Sequence, residues 1–76
     1  MDELARFMAS RLVDNPDAVD VSMVETDDLC TIQLRVAKED LGKVIGKQGR
    51  TARAMRSLLA AVAAQEKKQS RLEIVE

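Results

Sequence analysis

Midway along this chain the spacing of its apolar residues changes, and two glycines stand just beyond the change. Over residues 29–37, Cys30, Ile32, Leu34 and Val36 alternate with Thr31, Gln33 and Arg35. Strict alternation marks a strand buried on one face. From Leu41 onward, Leu41, Val44 and Ile45 take the i, i+3, i+4 spacing of a helix,. Gly46 and Gly49 interrupt that helix. Ala52, Met55, Leu58, Leu59 and Val62 then resume helical spacing across a long segment, residues 51–68,. A chain that switches period in this way lays helices on a sheet. Its 76 residues leave room for one domain,.

The remaining segments follow by the same logic. Residues 2–14 put Leu4, Phe7, Met8 and Leu12 on one helical stripe, which makes Phe7 a core residue,. Asn15-Pro16 ends that helix, because the residue before a proline is pushed out of the helical region,. Residues 18–25 read as a strand with Val19, Val21 and Met23 inward, and Thr26-Asp27-Asp28 as a hairpin turn,. Asp40 is placed to cap the short helix 41–45, and Thr51 the long one,. Residues 71–75 form a last strand with Leu72 and Ile74 inward. The order is α-β-β-α-α-β. The hairpin strands pair antiparallel, and the last strand returns parallel after a long crossover. The expected class is α+β: one domain over residues 1–76, with a three-stranded mixed sheet and helices packed on one face. A domain this small buries only about 60% of its unfolded surface, so pairing with a second subunit is one source of added stability.

Composition removes several functions. The chain has no His, which excludes Ser-His-Asp and Cys-His catalysis and His metal ligands,. Its single cysteine, Cys30, makes no internal disulfide and suits a reducing cytoplasm,. On the alternating apolar face, Cys30 reads as a small core residue. No apolar run approaches the roughly 18 residues of a membrane span,. The acidic start, Met1 to Arg6, lacks the charged and apolar regions of a signal peptide,. Glu39, Asp40 and Glu66 are scattered carboxylates without a cofactor motif, so neither an enzyme nor a small-molecule substrate is expected, and no metal or cofactor,. One aromatic residue, Phe7, argues against a surface that stacks bases on aromatic rings,.

The net charge of −1 hides a segregation. Residues 1–29 carry eight acidic and two basic side chains, whereas residues 30–71 carry ten basic and three acidic. Lys43, Lys47, Arg50, Arg53 and Arg56 fall in one stretch without an acid. Such a patch attracts a polyanion locally. Within it, Gly46-Lys47-Gln48-Gly49 permits a sharp loop with exposed N–H groups. The long helix begins just after, with its unpaired N–H groups and positive dipole end aimed the same way. Together these suit a phosphate. A Walker loop and a dinucleotide fingerprint both require different glycine spacing and a preceding strand.

The run Ile45-Gly46-Lys47-Gln48-Gly49-Arg50 resembles the signature of the KH domain, whose GxxG loop clamps about four nucleotides of single-stranded backbone,. The element order resembles the type II arrangement. Over essentially its whole length the chain is similar to the small bacterial KH-domain proteins of the KhpA (YlqC) family. The resemblance implies a cytoplasmic, single-stranded RNA-binding protein that forms a homodimer and pairs with a KhpB-type partner. It also implies a link to cell elongation and division and to cell shape and wall organisation, and RNA chaperone or post-transcriptional activity. In this reading the RNA-binding residues are Lys43, Val44, Ile45, Gly46, Lys47, Gln48, Gly49, Arg50 and Arg53. The N–H groups of residues 46–50 hold phosphates, and Lys47 and Arg50 add charge. Gln48 touches phosphate or sugar, or faces solvent. Val44 and Ile45, with apolar residues at the edge of the second strand, floor a groove for bases, and Arg35 and Lys38 line its far side. Ala52 and Met55 stand where KH domains often carry isoleucine, which reduces the apolar surface beside the loop.

The long helix also carries small residues, Ala54, Ser57, Ala61 and Ala64, on one stripe. Alanine is the best helix former, which alone accounts for such a stripe. A dimer interface is the functional reading. It keeps open an alternative, a protein–protein assembly adapter with secondary RNA contact.

Overall fold

The computed structural model describes residues 1–75. Helix α1 spans Asp2–Leu12 and ends where Val13 turns extended, two residues before the expected Asn15-Pro16 break. Pro16–Ala18 form a 3-10 turn, as a proline at the first turn position favours,. That turn delays strand β1 to Asp20–Glu25. Thr26 closes the hairpin: its N–H donates to the Leu29 carbonyl at 2.8 Å, and its hydroxyl accepts the Leu29 N–H at 3.1 Å. Strand β2 spans Leu29–Arg35. After a 3-10 turn at Lys38–Asp40 come helix α2, Leu41–Ile45, and helix α3, Arg50–Gln65. Lys67, with a left-handed φ of 61°, stops the chain from continuing α3. Strand β3 follows at Gln69–Val75.

The sheet order is β1-β2-β3, with β1 antiparallel and β3 parallel to β2. Ile32 pairs with Met23 on one side and Leu72 on the other; Leu34 lies between Val21 and Ile74. Cys30, Ile32, Leu34 and Val36 are all buried, while Gln33 and Arg35 face outward. The helices therefore cover one face only, as the alternation implies. Burial, with Glu25 nearby, pushes the Cys30 thiol above its ordinary pKa, in keeping with an inert core residue,.

The helix faces differ from the expected stripes in two places. In α1 the fully buried residues are Ala5 and Ala9; Phe7 is 56% exposed and lies under the Arg11 guanidinium, 4.8 Å from its ring centroid. In α3 the buried row is Ala52, Met55, Leu59 and Ala63, while Leu58 is 55% exposed. Both corrections have one cause. Small side chains let a helix sit close to the sheet, so the contact line follows alanines and turns the larger neighbours outward.

Asp40 is the one buried charged residue among those described. It precedes α2, but its side chain does not cap that helix. Its carboxylate instead accepts the main-chain N–H groups of Asp14 (3.3 Å) and Asn15 (3.0 Å) and the Asn15 side-chain amide (2.9 Å). Nor does Thr51 cap α3; Gly49 holds that position in the left-handed region.

Candidate nucleic-acid interface

The loop between α2 and α3 is built from unusual backbone. Gly46, Gln48 and Gly49 all have positive φ, at 78°, 58° and 74°. Gly46 has no alternative: a Cβ there would meet the Thr51 Cβ at 2.7 Å and its main-chain N at 2.8 Å. The Gly46 N–H donates to the Gly42 carbonyl and ends α2. The Gly49 N–H donates to Gly46, and that of Arg50 to Lys47. These three donors are thus used internally, which narrows the expected phosphate-binding set of residues 46–50. Among the described residues, the main-chain N–H groups of Lys47 and Gln48 have no partner. A left-handed residue directly after a right-handed one turns two successive N–H groups to the same side, forming an anion-binding concavity. The first turn of α3 adds its own unpaired donors beside them.

The charged side chains sort into two groups. Lys47 and Arg50 are exposed and form no ion pair among the described residues. Arg53 reaches back to the loop, its guanidinium 3.5 Å from the Gln48 carbonyl. Lys43 differs: its ammonium is bonded to Asp14 and lies 3.7 Å from Asp40. The hydrogen bond to Asp14, opposed by partial desolvation and aided by the charges of Asp14 and Asp40, holds the Lys43 pKa above the usual lysine range. Its charge is committed to the fold.

Other expected contacts are also corrected. Val44 is fully buried in the core and supports the loop from beneath, while Ile45 is 38% exposed beside it. The second strand is the centre of the sheet and offers no edge. Arg35, next to buried Leu34, points to the helix-free face, away from the loop,. Lys38 is exposed in its 3-10 turn.

The edge strands are β1 and β3, and beside β3 lies a groove that sequence reasoning missed. A cavity of about 400 Å³ opens between α3 and β3. Residues Arg53, Arg56, Ser57 and Ala60 of α3 and Ser70, Arg71 and Leu72 of β3 line it. The sequence signal for it is the i, i+3, i+4, i+7 row Arg53, Arg56, Ser57, Ala60, one step round the helix from the buried row. Ser57 therefore belongs to this groove. Ala54, Ala61 and Ala64 remain on an exposed stripe.

An αββααβ chain with a mixed sheet, one helical layer and a basic GxxG turn between its second and third helices is a KH domain of the type II order. The family model "KhpA/KhpB, KH domain" matches residues 2–74, and the chain belongs to that family. It is 52% identical to RNA-binding protein KhpA of Caldanaerobacter subterraneus subsp. tengcongensis, over 99% of this chain and all of that one. It is 49% identical to RNA-binding protein KhpA of Listeria monocytogenes over the full length of both. The same-named protein of Borreliella burgdorferi is 42% identical over 97% of this chain and 90% of its own. These relatives are named as RNA-binding proteins, without a catalytic name. No solved structure matches the chain. No helix among the described residues is long and apolar enough to cross a membrane.

Proposed function

We propose that this chain binds single-stranded RNA by its backbone at Gly46-Lys47-Gln48-Gly49. One observation carries the reading: two adjacent, unpartnered N–H groups, of Lys47 and Gln48, lie in a left-handed turn flanked by the unpaired cations Lys47 and Arg50. That arrangement takes a phosphate whatever base it carries. Backbone contacts alone support dissociation constants of about 10⁻⁴ to 10⁻⁶ M at physiological salt. Family membership supports a cytoplasmic protein that works as a homodimer or with a KhpB-type partner. It also supports an RNA chaperone or regulatory role tied to cell elongation and division.

The test is fluorescence anisotropy of a labelled single-stranded RNA pool with wild type and a Lys47→Asp plus Gln48→Asp variant. Both glycines are kept, and circular dichroism checks the fold. Binding by wild type and its collapse in a folded variant support the reading. Equal binding by both, or by neither, overturns it and favours the assembly-adapter alternative, for which the exposed Ala54, Leu58 and Ala61 of α3 speak.

A further inference from the structure

Of the five cations in residues 43–56, Lys43 is the one paired with carboxylates among the described residues. Its nearer partner, Asp14, lies in the linker after α1. The Asp14 main-chain N–H donates to the buried Asp40 carboxylate at 3.3 Å, which fixes the backbone at that point. The Asp14 carboxylate itself is 75% exposed, and Lys43 is its sole partner among the described residues. Asp40 is different. Its carboxylate already accepts the N–H groups of Asp14 and Asn15 and the Asn15 amide, while the Lys43 ammonium stands 3.7 Å away. The buried end of the cluster is thus hydrogen-bonded without the lysine. What the Asp14 carboxylate does is decide where the Lys43 ammonium sits.

That position matters because of where Lys43 starts. It lies on α2, three residues before Gly46, the residue that ends the helix and opens the loop. Residues three apart on a helix are neighbours, about 5–6 Å from each other. The flexible four-carbon stem of lysine covers that distance. Released from Asp14, the ammonium reaches a phosphate seated on the Lys47 and Gln48 N–H groups. Held by Asp14, it is drawn back from that phosphate, and the carboxylate adds a negative charge on the α2 side of the loop. An exposed pair of this kind contributes little to folding. Removing Asp14 therefore frees the lysine and leaves the fold in place.

We propose that Asp14 is a positioning residue that limits RNA affinity: it holds Lys43 back from the GxxG loop, so that three cations rather than four engage the RNA backbone. This rests on the RNA-binding reading of the loop. The test titrates a labelled all-uridine octamer over a range of salt concentrations, by fluorescence anisotropy. The proteins are wild type, Asp14→Asn, Lys43→Ala and the double variant. Asp14→Asn keeps the size of the side chain and removes its charge. Asp17→Asn is the control, an exposed acid of the same linker with no ion pair among the described residues. Circular dichroism checks each fold.

Asp14→Asn is expected to bind about twofold to fivefold more tightly, the size of one exposed ion pair that RNA no longer has to break. Its slope of log affinity against log salt is expected to steepen from about −2 to about −2.8 as a fourth phosphate contact forms. In the Lys43→Ala background the same substitution is expected to change neither quantity. Asp14→Glu, which restores a carboxylate, and Asp17→Asn are expected to keep the wild-type slope. A role in folding alone would move the melting temperature of Asp14→Asn and leave its slope untouched. An unchanged slope in Asp14→Asn, with wild type still binding, overturns the inference and leaves the loop as an RNA site. Equal tightening with and without Lys43 also overturns it, because Asp14 then acts by general repulsion. Failure of the octamer to bind both wild type and Asp14→Asn brings down the RNA reading together with this one.

Discussion

The side-chain amide of Asn15 donates to Oδ2 of Asp40 at 2.9 Å, tying the linker after α1 to the residue that precedes α2. Two main-chain N–H groups converge on the same carboxylate, from Asp14 and from Asn15 itself. Lys43, one turn into α2, closes the cluster through Asp14 and Asp40. The GxxG loop hangs from the far end of this short helix, so its position depends on a contact outside the loop.

Asp40 makes stability depend on acid. Burial pushes its carboxyl up, but the bonds from Asn15 and Asp14 and the Lys43 charge together outweigh this, and its pKa lies below the usual value. The folded state therefore favours the ionised form more than the unfolded chain does. Its stabilisation is complete above the ordinary Asp pKa of 3.8 and is lost as pH falls through the lower folded value,. Asp40→Ala is expected to lower Tm by several degrees at neutral pH. The gap between variant and wild type should narrow in melts taken at progressively lower pH.

The two loop glycines are expected to respond unequally to alanine. Gly49→Ala meets open space and bears only the strain of left-handed backbone, about 1 to 2 kcal/mol,. Gly46→Ala bears the same strain and also drives a methyl group into Thr51. Its loss in urea unfolding should exceed that of Gly49→Ala. Thr51→Ala should not restore it, because the Thr51 main-chain N, at 2.8 Å, remains in the way.

Phe7 and Ala9 invert what size suggests. Phe7 is exposed and held only by Arg11, so Phe7→Ala should change stability by less than about 1 kcal/mol,. Ala9 is fully buried against the sheet, and Ala9→Leu should cost about 1–3 kcal/mol by overpacking,. Denaturant titration of both variants checks the pair.

That inversion shows what periodicity can and cannot reveal. The alternation in β2 was legible because one sheet face is covered and the other is not, and every inward residue from Cys30 to Val36 is buried. The loop was legible because Gly46 answers a local backbone requirement. The contact line of α3 was legible at Ala52, Met55 and Leu59, but Ala63 in α3 and Ala5 and Ala9 in α1 were not, because hydrophobic patterning weights large side chains while close packing here also selects alanine. Long-range placement escaped altogether. The capture of Lys43 by Asp14 joins distant parts of the chain, as does the meeting of Arg56 with Leu72 across the crossover. A basic residue in the sequence carries no mark of whether the fold will neutralise it.

The stripe Ala54, Ala61 and Ala64, with exposed Leu58 beside it, gives α3 a flat outward surface. If two copies meet there, Ala61→Asp places a charge in the contact and should yield monomers in sedimentation velocity, with the fold unchanged by circular dichroism. Persisting dimers would assign the contact to another face.

Charge commitment within the basic stretch yields the sharpest contrast for RNA. Lys47, Arg50 and Arg53 surround the loop with charge, whereas Lys43 is engaged by two carboxylates. Three phosphate contacts to single-stranded RNA give a slope of log affinity against log salt of about −2. Removing one contact should bring it to about −1.4. Lys47→Ala is expected to show that shift with a severalfold weaker affinity at moderate salt. Lys43→Ala is expected to keep the wild-type slope, because the lost charge was balancing Asp14 and Asp40, and to show its effect in thermal stability instead. Anisotropy titrations over a range of salt concentrations, with a melt for each protein, separate the two lysines. A slope change in Lys43→Ala equal to that of Lys47→Ala would mean that RNA draws Lys43 away from its carboxylates.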